Sequence, residues 1–416
     1  MKFEQYYISE DIKKNLGKLG FKRPTDIQFK AIPSIIDGED VLAIAQTGTG
    51  KTAAFAIPVI DKIHRYKTSK RSRGIKCIVM VPTRELALQI GEVFKSLANH
   101  TKVKVFTLHG GVEQDRQIAK LQDGIDVLIA TPGRMFDLIN QQVLKLDYVS
   151  TLVLDEADHM LDLGFIEDIK YIKKMLKRAH QTLFFSATIS DEIKKLAYSQ
   201  VKSAAIRIQV SPKDRVSKNI SHFVMFVELD DKRFFLNRFL QDHPGRKVIV
   251  FVRTKVRAER VNKAMERAGF SAVSIHGDKD QAERSEAMSA FRNGESLVLI
   301  ATDISARGID VPDVDYVINY DLPEKVENYV HRVGRTGRGI RMGEAISFCS
   351  TEEKSLLDDI QAFISKPIDV IHMSKEGYAE IIRTPDKAAQ ELMDLVAEHD
   401  SWLSGKGKKK KKRKKS

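Results

Sequence analysis

Short, nearly uninterrupted apolar runs alternate with longer stretches whose apolar residues recur at helical spacing. In the first half the runs fall at Val41–Ala45, Ile75–Val81, Val103–Leu108, Asp126–Ala130, Thr151–Leu154 and Thr182–Phe185. Such runs predict parallel strands buried on both faces. Arg84–Asn99 and Glu167–Ala179 carry the helical period and supply crossovers. The pattern restarts at Phe223–Val227, Val248–Val252, Ala272–Ile275, Leu297–Ile300, Tyr316–Asn319 and Ala345–Phe348. Two doubly wound α/β domains in tandem follow from this alternation.

Residues 211–218, Ser-Pro-Lys-Asp-Arg-Val-Ser-Lys, have linker composition and divide a first domain over 1–210 from a second over 219–373. An extension over 374–404 holds one expected amphipathic helix within Pro385–Leu403, with Ala389, Leu392, Met393, Val396 and Leu403 on a shared face. The lysine-rich tail, 405–416, cannot bury anything and is expected to be disordered.

Composition narrows the class. With 416 residues, 42% hydrophobic and 30% charged, the chain is large enough for two packed cores. No apolar run approaches the roughly 18 residues of a membrane span, and Met1–Tyr7 is too polar for a secretory signal. The tail holds nine of the thirteen net positive charges, leaving a mildly basic body of +4. A polyanionic partner suits that balance. Cys77 and Cys349, each in an apolar run, read as small core residues in a reducing compartment. There is no Cys/His cluster with zinc spacing.

Val41–Ala45 leads into Gln46-Thr47-Gly48-Thr49-Gly50-Lys51-Thr52. A glycine-rich turn between strand and helix aims backbone N–H groups at phosphate. Lys51 would reach the β- and γ-phosphates, and the Thr52 hydroxyl would hold Mg²⁺. Thr151–Leu154 ends in Asp155-Glu156-Ala157-Asp158, placing acids at the sheet edge where ligands bind. Asp155 suits Mg²⁺, and Glu156 suits orienting or deprotonating a water. His331-Arg332-Val333-Gly334-Arg335-Thr336-Gly337-Arg338 sets three arginines three residues apart. On a helix such like charges repel, so the row implies an anion opposite it.

Together these segments resemble the DEAD-box ATP-dependent RNA helicases, most like the bacterial RhlE type, over nearly the whole of both domains. The resemblance implies two RecA-like domains, ATP with Mg²⁺ as cofactor, and RNA as partner. It also accounts for Ala45, where the generic phosphate loop has glycine. Phe3 and the segment with Phe21, Arg23 and Gln28 look like the family's adenine-reading element. Pro82, Thr83 and Arg84, then Gly111, then Thr131, Pro132, Gly133 and Arg134, resemble its first RNA-contacting motifs. Gln281, Arg284, Thr302 and Asp303 match the RNA-contacting positions of the second half. By the same resemblance Gly308 and Asp310 meet the ATP ribose region, and Arg335 and Arg338 are arginine fingers. Ser186 and Thr188 hydrogen-bond near Asp158 to couple nucleotide state to strand separation, and His331 links to the acidic turn.

The implied activity is RNA-stimulated ATP hydrolysis driving local unwinding of short duplexes, by a clamp that ATP and RNA close together. RNA contacts go to phosphates and sugars, so they are largely independent of base sequence. The tail adds nonspecific affinity, and a cytoplasmic monomer is expected. Two other functions use the same motifs: an ATPase acting on DNA duplexes, and an ATP-gated RNA clamp or annealing chaperone.

Overall fold

The computed structural model describes residues 2–46, 48–68, 72–210, 216–306, 311, 313–337 and 342–383. The chain forms two compact units that meet in sequence near residue 215. The first holds β1 (Val41–Ala45), β2 (Cys77–Met80), β3 (Val105–Leu108), β4 (Val127–Ala130), β5 (Thr151–Leu154), β6 (Gln181–Ser186) and β7 (Ile206–Val210). They make one parallel sheet in the order β3-β4-β2-β5-β6-β1-β7. The second holds β8 (Ile220–Phe226), β9 (Val248–Phe251), β10 (Ala272–Ile275), β11 (Val298–Ala301), β12 (Tyr316–Asn319), β13 (Gly343–Cys349) and β14 (Asp369–Val370). Their order is β10-β11-β9-β12-β13-β8-β14, again parallel. Both units are RecA-like α/β domains.

Period two explains why every residue of β1 is apolar. Val41, Ala43 and Ala45 enter the core on one sheet face, while Leu42 and Ile44 enter the core on the other. β13 does the same, sending Ala345 and Cys349 one way and Ile346 and Phe348 the other. Each fully buried aliphatic side chain contributes roughly 1.5–3 kcal/mol. Cys77 on β2 and Cys349 on β13 are buried free thiols, and burial raises both pKa values.

Three elements depart from the sequence expectation. β7 pairs with β1 as an edge strand with only Ile208 fully buried, so it shows alternation rather than an apolar run. β14 is two exposed residues. The helix Lys375–Arg383, beyond the expected end of the second domain, packs Tyr378, Ile381 and Ile382 on that domain's core. The tyrosine ring lies 4.8 Å from Phe235, and its hydroxyl donates to Asp231. The segment Pro385–Leu403 and the lysine tail lie outside the described residues, as do residues 211–215 of the expected linker.

On the inward face of β8, His222 is buried and its Nδ1 lies 2.9 Å from the Tyr329 hydroxyl. Burial above all, with the charge of Lys366 and against that of Asp369, lowers its pKa from 6.5 to about 4. The unfolded chain therefore takes up a proton that the folded unit refuses. Stability is full above about pH 6.5 and is lost as pH falls toward 4. In His222→Gln, the dependence of Tm on pH across that window should shrink by about one proton.

Candidate active site

Apart from the segment with Phe3, Phe21, Arg23 and Gln28, which precedes β1, the motifs of the first unit leave the C-terminal ends of strands and lie along one sheet edge. In sequence the segments expected to meet RNA split the phosphate-site motifs into two, but sheet order brings each group together. The adjacent strands β3, β4 and β2 carry Gly111, Thr131–Arg134 and Pro82–Arg84. The adjacent strands β5, β6 and β1 carry Asp155–Asp158, Ser186–Thr188 and the glycine-rich loop. One half of the edge thus collects the phosphate-site residues and the other half the segments expected to meet RNA.

In the loop after β1, Gly48 and Gly50 adopt φ of 81° and 94°, conformations that a side chain strains. Thr49 Oγ1 donates to the Gln46 carbonyl at 2.7 Å, which tightens the turn, and Gly50 caps the helix Lys51–Tyr66 that Lys51 and Thr52 begin. Thr47 lies outside the described residues. Lys51 is buried, and its Nζ has no hydrogen-bond partner among the described residues. An ammonium held dry and unbonded is costly and suits an anionic ligand.

Gln28 is buried with its amide engaged on both sides. Oε1 accepts from the Thr25 N–H at 3.0 Å, and Nε2 donates to the Gly50 carbonyl at 3.1 Å. A Cβ on Gly50 would come within 2.5 Å of Nε2 and displace that amide, and the φ of 94° itself favours glycine. Gln28 is thus both a helix cap and a tie to the phosphate loop. Phe21 is half-buried and Arg23 exposed. Phe3, expected beside the adenine, is instead a core residue packed edge-on against Phe21 at 6.1 Å. It supports Phe21 and offers no open ring face.

Asp155 and Glu156 are both buried. Burial raises the Asp155 pKa to about 7, Lys51 pulls it back, and Glu156 pushes it further up. A dry carboxylate fits a divalent cation, and the ammonium, unpartnered among the described residues, fits the phosphate to which such a cation would be bound. Glu156 sits at φ 50° and ψ 50°, a left-handed conformation unusual for a side-chain-bearing residue, and caps the helix Ala157–Asp162. The Asp155 carboxylate accepts its N–H at 3.0 Å.

Asp158 Oδ2 accepts from the Ala187 N–H at 3.2 Å, the Thr188 N–H at 2.9 Å and Thr188 Oγ1 at 3.0 Å. That joins the acidic turn to the turn after β6. Of the two hydroxyls expected near Asp158 only that of Thr188 reaches it. Ser186 Oγ is buried without a hydrogen-bond partner among the described residues.

In the other half of the edge, Thr83 caps the helix Arg84–Ala98 by accepting from the Leu86 N–H, and Pro82 is buried behind it. The Arg84 guanidinium lies 3.2 Å from where a Cβ on Gly110 would stand. Thr131 and Pro132 open the helix Pro132–Asn140, and the space beside Gly133 is open. Arg134 donates to Gln117 Oε1 at 2.6 Å and to the Val112 carbonyl at 3.2 and 3.3 Å, while Gln117 Nε2 donates to the His109 carbonyl. Gln117, which the sequence did not single out, thus fixes two of these turns relative to each other.

In the second unit Arg253 and Thr302 follow the ends of β9 and β11, whereas Gln281, Arg284, Asp303 and His331 lie on helices. Arg253, after β9, donates its N–H to Asp321 and its Nη2 to Glu353 at 2.9 Å. Gln281 and Arg284 open the helix Gln281–Asn293, capped by Asp280. The Thr302 hydroxyl lies 2.9 Å from Ser305 Oγ. Asp303, expected at RNA, takes a different place. Its carboxylate accepts Arg332 Nε at 2.6 Å and Nη2 at 2.8 Å, and a carboxylate would in any case repel phosphate.

Arg332 is fully buried, and its Nη1 also donates to Asn319 Oδ1 and the Asp321 carbonyl. The anion facing the first arginine of the row is therefore Asp303. The row is not one helical face either, since the helix Val326–Val333 ends before Gly334. His331 lies in its last turn, and Arg335 lies beyond it with Nε donating to the His331 carbonyl at 3.2 Å. Gly308, Asp310 and Arg338 lie outside the described residues.

Two RecA-like domains, one with a phosphate loop and a Walker-B acid at its sheet edge, define a nucleotide-hydrolysing motor class. The DEAD/DEAH box helicase family matches residues 25–196, and the helicase conserved C-terminal domain matches 231–339. The ATP-dependent RNA helicase CshA of Listeria monocytogenes is 39% identical over 394 residues, 94% of this chain and 75% of that one. CshA of Bacillus subtilis is 40% identical over 88% of this chain and 73% of its own. Saccharomyces cerevisiae Dbp5 bound to RNA and ADP BeF3 superposes with a TM-score of 0.80 at 30% identity, covering 93% of this chain and 99% of that one. Mss116 bound to single-stranded RNA and UDP-BeF gives 0.81 at 26%, covering 97% and 86%. The chain belongs to the DEAD-box ATP-dependent RNA helicases. It is an RNA-dependent ATPase that unwinds or remodels RNA at the expense of ATP. These relatives carry the family and not the RhlE subtype.

Proposed function

We propose that hydrolysis is run by Glu156 acting on water, with Lys51, Arg335 and Arg338 stabilising charge on the transferred phosphate. The observation that carries this reading is the buried Lys51 ammonium, unbonded among the described residues and electrostatically opposed to Asp155. Asp155 and the Thr52 hydroxyl would hold Mg²⁺, which would neutralise phosphate charge. Gln28, with Phe21 and Arg23, reads adenine, and Gly308 and Asp310 meet the ribose region. Residues 45–50 cradle the phosphates by their backbone.

RNA is held through its backbone by Pro82, Thr83, Arg84, Gly111, Thr131–Arg134, Gln281, Arg284 and Thr302. Asp303 serves instead by orienting Arg332. Asp158, Thr188, Ser186 and His331 couple the nucleotide to the RNA segments, so ATP and RNA each strengthen the other's binding. The first domain runs over residues 1–210, the linker over 211–218, and the second domain onward from 219. Its likeness to CshA of Listeria monocytogenes and Bacillus subtilis supports a bacterial subtype, CshA-type or RhlE-type, working as a cytoplasmic monomer. The lysine tail adds affinity that falls with salt by about 0.7 log units per decade for each phosphate neutralised on a single strand.

Steady-state ATPase activity with single-stranded RNA, and with DNA of equal length and sequence, tests the substrate. RNA alone should stimulate. Equal stimulation by DNA would move the activity to DNA.

A further inference from the structure

Next to Glu156 stands a polar group that the hydrolytic scheme does not use. His159 lies one helical turn on, and its side chain is only 3% exposed. Neither ring nitrogen has a hydrogen-bond partner among the described residues. Burying an imidazole without partners spends its hydration for no return, and a leucine there would avoid the loss. The polar atom facing it is the Glu156 carboxylate, with Nδ1 3.6 Å from Oε2. That separation is just outside hydrogen-bond reach. Bonds between catalytic groups are often long in the resting enzyme and tighten when substrate arrives.

The backbone around the pair is held firmly. The Glu156 N–H is bonded to Asp155, the His159 N–H donates to Asp158 Oδ1 at 3.0 Å, and Glu156 keeps its left-handed conformation. Little but the two side chains is left to adjust.

We propose that His159 is a positioning residue for the hydrolytic step. Its Nδ1–H holds one oxygen of the Glu156 carboxylate, so that the other oxygen faces the attacking water. The inference rests on the reading of Glu156 given above. It predicts an effect on turnover, with no effect on nucleotide affinity.

The test compares wild type, His159→Leu, His159→Asn, His159→Gln, Glu156→Gln and the double variant Glu156→Gln/His159→Leu. RNA-stimulated turnover, KM for ATP and Tm are measured for each, with single-turnover runs for the slow variants. His159→Leu should lower kcat about tenfold with KM unchanged and Tm equal or higher, because an unpaired buried polar group has gone. Asparagine, whose amide nitrogen stands near the Nδ1 position, should recover most of the rate. Glutamine, which reaches the Nε2 position, should not. On the Glu156→Gln background the leucine change should cost nothing further.

Wild-type kcat in His159→Leu, while Glu156→Gln is inactive, would overturn this inference and leave the reading of Glu156 standing. So would a tenfold loss that persists on the Glu156→Gln background, or equal recovery by asparagine and glutamine. Full activity in Glu156→Gln would overturn both.

Discussion

Lys51→Met removes nucleotide-dependent activity without weakening the fold. The amine is buried at 6% exposure and unbonded among the described residues, so the resting protein gives up no hydrogen bond when it is lost. Methionine keeps the length and apolar stem of lysine, and Tm without nucleotide should stay level or rise. With nucleotide the sign reverses. Removing one preorganised charged donor from a phosphoryl-transfer site costs about 10²–10³-fold in turnover, or roughly 3–4 kcal/mol. The stabilisation that ATP confers on wild type should vanish with it. Thermal unfolding with and without ATP, alongside RNA-stimulated ATPase rates, checks both halves. A variant whose Tm collapses without nucleotide would show that the Lys51 ammonium is satisfied in the resting state and stabilises the fold.

Arg332→Leu has the opposite character, a loss of stability before any loss of chemistry. This guanidinium joins β11's end to β12 through Asp303, Asn319 and the Asp321 carbonyl. Breaking a buried pair by removing one partner costs about 3–5 kcal/mol, and the remaining exposure of Asp303 places the expected loss at the lower end. Lysine should not rescue it, because one ammonium cannot serve a bidentate carboxylate together with two further acceptors. The double variant Arg332→Leu/Asp303→Leu should lose less than the sum of its parts. Hydrogen exchange of β12 amides reads the second domain by itself. Unchanged protection there would mean that Arg332 contributes no net stability.

The two substitutions also mark where reading the sequence reached and where it stopped. Strands buried on both faces declare themselves, because each position must be apolar, and the central strands of both sheets were legible for that reason. β7 and the helix Lys375–Arg383 have one face in water, so their apolar residues are too sparse to stand out. Lys51 was legible because a glycine-rich turn has few other uses. The arginine row was legible only as a row. Spacing does not distinguish Arg332, which turns inward to Asp303, from Arg335, which lies beyond the helix end. Gln117 and His159 left no trace in the pattern, since their importance comes from what stands opposite them in space.

Strand order in the first sheet has a consequence for how the chain is made. β1, which feeds the phosphate loop, is the first strand to leave the ribosome, yet its neighbours are β6 and β7, the last two of that sheet. Roughly 140 residues must follow before β6 exists, about 7–28 s at ordinary elongation rates of 5–20 residues per second. Through that interval Val-Leu-Ala-Ile-Ala stands with both backbone edges unpaired, the kind of segment that recruits other strands. The nascent chain is therefore most open to aggregation, and most dependent on chaperone cover, at the strand on which its later chemistry depends.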